Sequence, residues 1–106
     1  MPTYLWSGSY TSEGTKGLTK DGGTKRRTAV QQMVEQNGGK LLAFYFALGE
    51  ADVYVIAEFP DVATAAAVSL AVNGSGAVSL KTTVLLSPED FDAATKKSIG
   101  YRPPGT

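Results

Sequence analysis

Residues 40–59 read KLLAFYFALGEADVYVIAEF, two apolar runs divided by Gly49-Glu50-Ala51-Asp52. Lys40 to Leu48 is almost continuously apolar, and Val53 to Phe59 is rich in β-branched and aromatic residues, so the tight connection between them marks a β-hairpin. Strict alternation sets Leu42, Phe44, Phe46 and Leu48 on one side of the first strand and Leu41, Ala43, Tyr45 and Ala47 on the other. In the second strand it sets Val53, Val55, Ala57 and Phe59 against Tyr54, Ile56 and Glu58. A sheet with one wet face shows an apolar side and a polar side. Here neither side is made for water, so both faces call for cover, and homodimerisation through the face left open is the expected answer.

On the N-terminal side, Tyr4 to Tyr10 reads as a strand that stops at the turn-forming Thr11-Ser12-Glu13-Gly14. Thr15 to Gly23 shows no periodicity and reads as a loop. From Thr24, the expected cap, Ala29, Val30, Met33 and Val34 recur at helical spacing until Gly38-Gly39. On the C-terminal side, Pro60 breaks the hairpin and Asp61 caps a second helix, in which Val62, Ala66, Ala67 and Leu70 share one face before Asn73-Gly74. Val78 to Leu86 reads as a fourth strand, with Val78, Leu80, Thr82, Val84 and Leu86 opposing Ser79, Lys81, Thr83 and Leu85. Ser87 with Pro88 then opens a short helix running to about Lys97. Gly100 to Gly105 cannot be regular structure and is expected to be disordered or laid over a neighbour. The order β-α-β-β-α-β gives an α+β, ferredoxin-like domain over 1–97, with a four-stranded antiparallel sheet, two helices on one face, and a tail over 98–106.

Charge and composition narrow the function. Ten Lys and Arg balance ten Asp and Glu among 106 residues, leaving no field to hold nucleic acid or an anionic membrane. The absence of Cys and His removes thiol nucleophiles, Ser-His triads, imidazole acid–base work and zinc sites. No cofactor and no metal are expected. The N-terminus lacks a charged segment followed by an apolar stretch, and no apolar run approaches a membrane span, so a cytoplasmic location is expected.

The stretches Tyr10-Thr11-x-Glu13-Gly14-x-Lys16-Gly17, Gly38-Gly39-Lys40-Leu41, Leu48-Gly49-Glu50-x-Asp52, Pro60-Asp61 and Thr82-Thr83 together resemble the GYD domain family, within the wider group of dimeric α+β barrels. The resemblance spans about residues 1 to 92. It implies a subunit whose sheet packs on a partner's sheet, closing a barrel with an interior cavity. It carries fold and assembly further than function, because the family has no well-established activity. The family takes its name from a Gly-x-Tyr-Asp stretch, and here Ala51 stands at the tyrosine position.

Such a barrel would take a small apolar or aromatic ligand, with Trp6, Tyr10, Tyr45 and Tyr54 as wall and Lys81 as the cation on a central strand. Lys81 and Glu58 each interrupt an apolar strand; they either face one cavity as an acid–base pair, form a structural ion pair, or keep their heads in water. Asp52 beside Glu50 is either an acid–base or hard-cation site or a turn residue engaged with nearby backbone. Glu13 to Gly17 fits neither the Walker nor the Rossmann phosphate pattern. Lys25-Arg26-Arg27 opens a helix where the macrodipole favours acids, so it forms either a solvated face or a contact with another subunit. Two functions stand beside each other: a ligand-binding homo-oligomer, and a cofactor-free isomerase, lyase or monooxygenase acting on an aromatic or polyketide-like substrate. A third is a purely structural building block, whose cavity side chains would fill.

Overall fold

The structure is a computed structural model and describes all of residues 1–106. Its elements are β1 (Thr3–Tyr10), α1 (Ser12–Asp21), α2 (Gly23–Gln36), β2 (Lys40–Phe46), β3 (Val53–Glu58), α3 (Val62–Gly74), β4 (Val78–Leu85) and α4 (Pro88–Thr95). The strands form one antiparallel sheet in the order β2-β3-β1-β4. Trp6 pairs with Val55 on one side and Thr82 on the other, and this register fixes which residues share a face. Tyr4, Trp6, Val53, Val55 and Ala57 turn toward α2 and α3, where Val30, Val34, Ala65 and Val68 complete the core. Phe59 is fully buried at its centre, its ring 5.4 Å from Trp6 and 6.2 Å from Tyr4.

The expected loop over Thr15–Gly23 is helical. The Thr11 hydroxyl accepts the Gly14 N–H at 3.2 Å, Glu13 lies in the first turn and Lys20 in the last, which suits the helix dipole. Apolar periodicity missed α1 because it buries no residue completely, Leu18 being only half-buried. Gly14 has a steric reason: a Cβ there would sit 2.0 Å from the Ala77 carbonyl oxygen, so only glycine lets α1 lie against the start of β4. Gly22, at φ 85°, closes α1 by donating to the Leu18 carbonyl at 2.7 Å, and α2 begins at the next residue. Thr24 therefore lies inside the helix it was expected to cap, and that cap position has no side-chain hydrogen bond.

Strict alternation also fails in β2. The register shifts between Leu41 and Ala43, so Leu41, Phe44 and Phe46 pair with Ala57, Val55 and Val53 on the helix side, and Leu42 is the extra residue. Ala43 and Tyr45 remain on the open side, as expected.

In α3 the expected inward face is corrected. Ala65 and Val68 are buried, whereas Val62 and Leu70 are 64% and 74% exposed. Hydrogen bonds set this rotation. Asn73 clamps the outer edge of β4, its Oδ1 accepting the Leu80 N–H at 2.7 Å and its Nδ2 donating to the Leu80 carbonyl at 3.2 Å. One turn earlier, the Ser69 and Thr82 hydroxyls lie 2.8 Å apart. Periodicity alone could not rank the faces of a helix that is apolar nearly all round. The cap at its start matches expectation, with Asp61 Oδ1 accepting the Thr64 N–H at 2.7 Å.

Past β4, Ser87 caps α4 through the Asp90 N–H at 3.0 Å, and Pro88 occupies the first turn. No residue of α4 is buried, and residues 96–106 have no regular structure. No helix of the chain is long and apolar enough to cross a membrane.

Two stability measurements follow from this packing. Phe59→Ala should cost about 3–5 kcal/mol in denaturant unfolding, because the cavity would lie between two aromatic rings and the α2 contacts. Hydrogen bonds from Thr64 hold the Asp61 carboxyl below its ordinary value. A depressed carboxylate stabilises above the unfolded-state value and loses that contribution as pH falls through the folded-state value. The advantage of the native chain over Asp61→Asn in thermal melts should thus be present at neutral pH and vanish under strongly acidic conditions.

Candidate functional site

The face of the sheet away from the helices carries three cross-strand rows. Pairing runs Lys40–Glu58–Thr3–Leu85 in the first, Ala43–Ile56–Leu5–Thr83 in the second and Tyr45–Tyr54–Ser7–Lys81 in the third. Adjacent strands lie about 4.8 Å apart, so each row crosses about 14 Å. The middle row is apolar but for Thr83, and the third brings two phenols, a hydroxyl and an ammonium into one line. Tyr45 is 72% exposed and Tyr54 37% exposed. Lys81 has no ion-pair partner; the chain's ion pair joins Lys25 and Asp21 at 3.7 Å, one turn apart.

Of the residues expected at the site, Tyr45, Tyr54, Glu58 and Lys81 stand on this face, and the first two share a row with Lys81. Trp6 does not. It is 3% exposed on the helix side, packed on Phe59. Tyr10 also turns to the helix side, opposite Val78. Glu58 and Lys81 do not meet. Their partners Thr3 and Ser7 are four residues apart on β1, and with two strand spacings between them the backbones are about 16 Å apart. Glu58 faces Lys40 instead. Ser7 and Leu5 were not singled out from sequence, although writing out the two sides of Thr3 to Tyr10 puts them on the open face.

Asp52 is a joint in the backbone. Its Oδ2 accepts the Tyr10 N–H at 2.9 Å, its own N–H donates to the Gly8 carbonyl at 2.8 Å, and its carbonyl accepts the Ala47 N–H at 2.7 Å. The carboxylate therefore ties the hairpin turn to the end of β1. Ala51 beside it is buried. The other quoted stretches form similar joints: the Thr11 N–H and hydroxyl reach the carbonyls of Ala77 and Gly76, both at 3.0 Å, Gly39 donates to Val34 at 2.9 Å, and Thr82 meets Ser69.

The family model described as GYD domain matches residues 4–95. The chain belongs to the GYD domain family. No curated protein and no solved structure matches it. In this GYD domain Asp52 and the Thr11–Gly14 turn each fix one element to another. GYD domains are small proteins of uncertain function.

A structural role for Asp52 separates two substitutions. Asp52→Ala leaves the partly buried Tyr10 N–H without its acceptor and should cost about 1–3 kcal/mol in chemical denaturation. Asp52→Asn keeps an acceptor oxygen and should recover most of that loss.

Proposed function

We propose that this GYD domain works as a homo-oligomer of ferredoxin-like subunits packed sheet to sheet, holding a small apolar or aromatic ligand between the sheets beside Tyr45, Tyr54 and Lys81. The observation that carries the reading is the open face itself. Leu5, Ala43, Ile56 and Leu85 lie on the side of the sheet that no helix covers. Their transfer from water is worth roughly 25 cal/mol per Å², and a continuous apolar surface of this kind marks an interface. A two-fold axis through such a face places the same rows on both sides, so the apolar residues of one copy meet those of the other.

The third row supports a binding role. Two phenol rings offer flat apolar area with a polar tip, and Lys81 supplies one positive charge with no carboxylate nearby to neutralise it. That set suits an aromatic ligand bearing an acceptor or a negative charge. General acid–base catalysis asks for a proton donor and acceptor converging on one atom, and the separation of Glu58 from Lys81 supports binding over that chemistry.

Size-exclusion chromatography with light scattering on the intact chain at about 10 µM should return a dimer or a multiple of it. Ile56→Glu, a charge in the middle row, should shift it to monomer while circular dichroism retains the helical signal. A native chain that runs as a monomer at about 100 µM would overturn the reading.

A further inference from the structure

On the opposite side of the sheet, α2 and α3 leave a cleft of about 540 Å³ between them. Ala29 and Met33 of α2 face Ala67 and Ala71 of α3, and Val78 forms the floor. A separate small cavity of about 40 Å³, sharing Arg26, Val30, Met33, Val72 and Val78 with the cleft, lies against Trp6, Phe44 and Val55. The cleft lies within the size range of small-molecule sites, which are mostly apolar with a few placed polar groups. On the α3 side its lining is made of small side chains, Ala67, Val68, Ala71 and Val72.

The polar groups here are few and unusual. Arg26 is the one charged side chain on either lining, shared by the cleft and the small cavity. Its Nε is buried without a hydrogen-bond partner, and so is the indole N–H of Trp6. The Tyr4 hydroxyl, away from both linings, is unpaired as well; what sets Arg26 apart is that its unpaired donor is charged and lies on an apolar cleft, where an acceptor from outside the chain would satisfy it. The position of Arg26 also departs from helix preference, since a cation in the first turn of α2 faces the positive end of the macrodipole. Helix stability does not account for an arginine at this position, and its place on the cleft lining does.

We infer that the cleft between α2 and α3 binds a small amphipathic monocarboxylate, its carboxylate on Arg26 and its apolar tail along the alanine and valine walls. Guanidinium and carboxylate match in planar hydrogen-bonding geometry. One cation balances one negative charge, whereas a dianion such as a phosphate would bring an uncompensated charge into an apolar cleft. This site lies within a single chain and faces away from the open sheet face, so it stands or falls separately from the oligomer.

Trp6 is the only tryptophan in the chain, which makes its emission a reporter of the small cavity that shares Arg26 with the cleft. Octanoate titrated into the intact protein should shift that emission in a saturable manner with one equivalent per chain by calorimetry, and octanol, its neutral counterpart, should bind at least about tenfold more weakly. Arg26→Met keeps the apolar stem and should erase the preference for octanoate. Ala71→Phe, on the exposed wall of α3, should abolish binding of both, and it serves as the second variant if Arg26→Met is unstable. Ile56→Glu should leave octanoate binding unchanged. Equal affinity for octanoate and octanol, a preference that survives Arg26→Met, or no saturable binding by the native chain would each overturn the inference.

Discussion

The register of β1 between β3 and β4 is the constraint on which the rest of the structure depends. One antiparallel alignment, Trp6 between Val55 and Thr82, sends Tyr4 and Trp6 under the helices and Leu5 and Ser7 to the other side. A slip of one residue would exchange the two sets, placing serines in the core and rings in water. Several hydrogen bonds resist that slip. The Asp52 carboxylate holds the Tyr10 N–H, and Thr11 holds the carbonyls of Gly76 and Ala77, so the C-terminal end of β1 is fastened to both neighbouring strands.

Thr11, Gly14, Gly39, Asp52, Asp61 and Thr82 each contribute a cap, a close approach or a cross-element bond. The side chains that differ in chemistry from their surroundings, Lys81 on one face of the sheet and Arg26 on the other, lie outside the quoted stretches, and each is the lone cation of its surroundings. Two sides of one sheet thus offer two environments: a flat, phenol-bearing surface and a narrow, alanine-walled one.

Much of this was legible in the residues. The hairpin, the Asp61 cap, the Ser87-Pro88 helix start and the open-face positions of Tyr45, Tyr54, Glu58 and Lys81 follow from turn chemistry and alternation, because those signals are local. Other features were set by contacts that sequence does not display. The helix α1 carries no apolar stripe, since it rests on the fold by an edge and is held by its cap. The extra residue at Leu42 inverts the parity of everything before it in β2, and nothing in an unbroken apolar run announces it. The rotation of α3 depends on Ser69 and Asn73 finding β4, a tertiary event. For Trp6 and Tyr10 aromatic character suggests a binding wall, whereas parity along β1 turns both toward the helices.

The Asn73 clamp on Leu80 reaches beyond the single subunit. The outer edge of β4 is a border strand whose free amide and carbonyl groups invite another chain to continue the ladder. One side-chain amide already occupies both groups of Leu80, so a newcomer strand would have to displace it and loosen the end of α3 as well. At the opposite border the extra residue at Leu42 breaks the regular spacing that lateral addition requires. Both rims of the sheet are thereby blunted against a strand added at the edge.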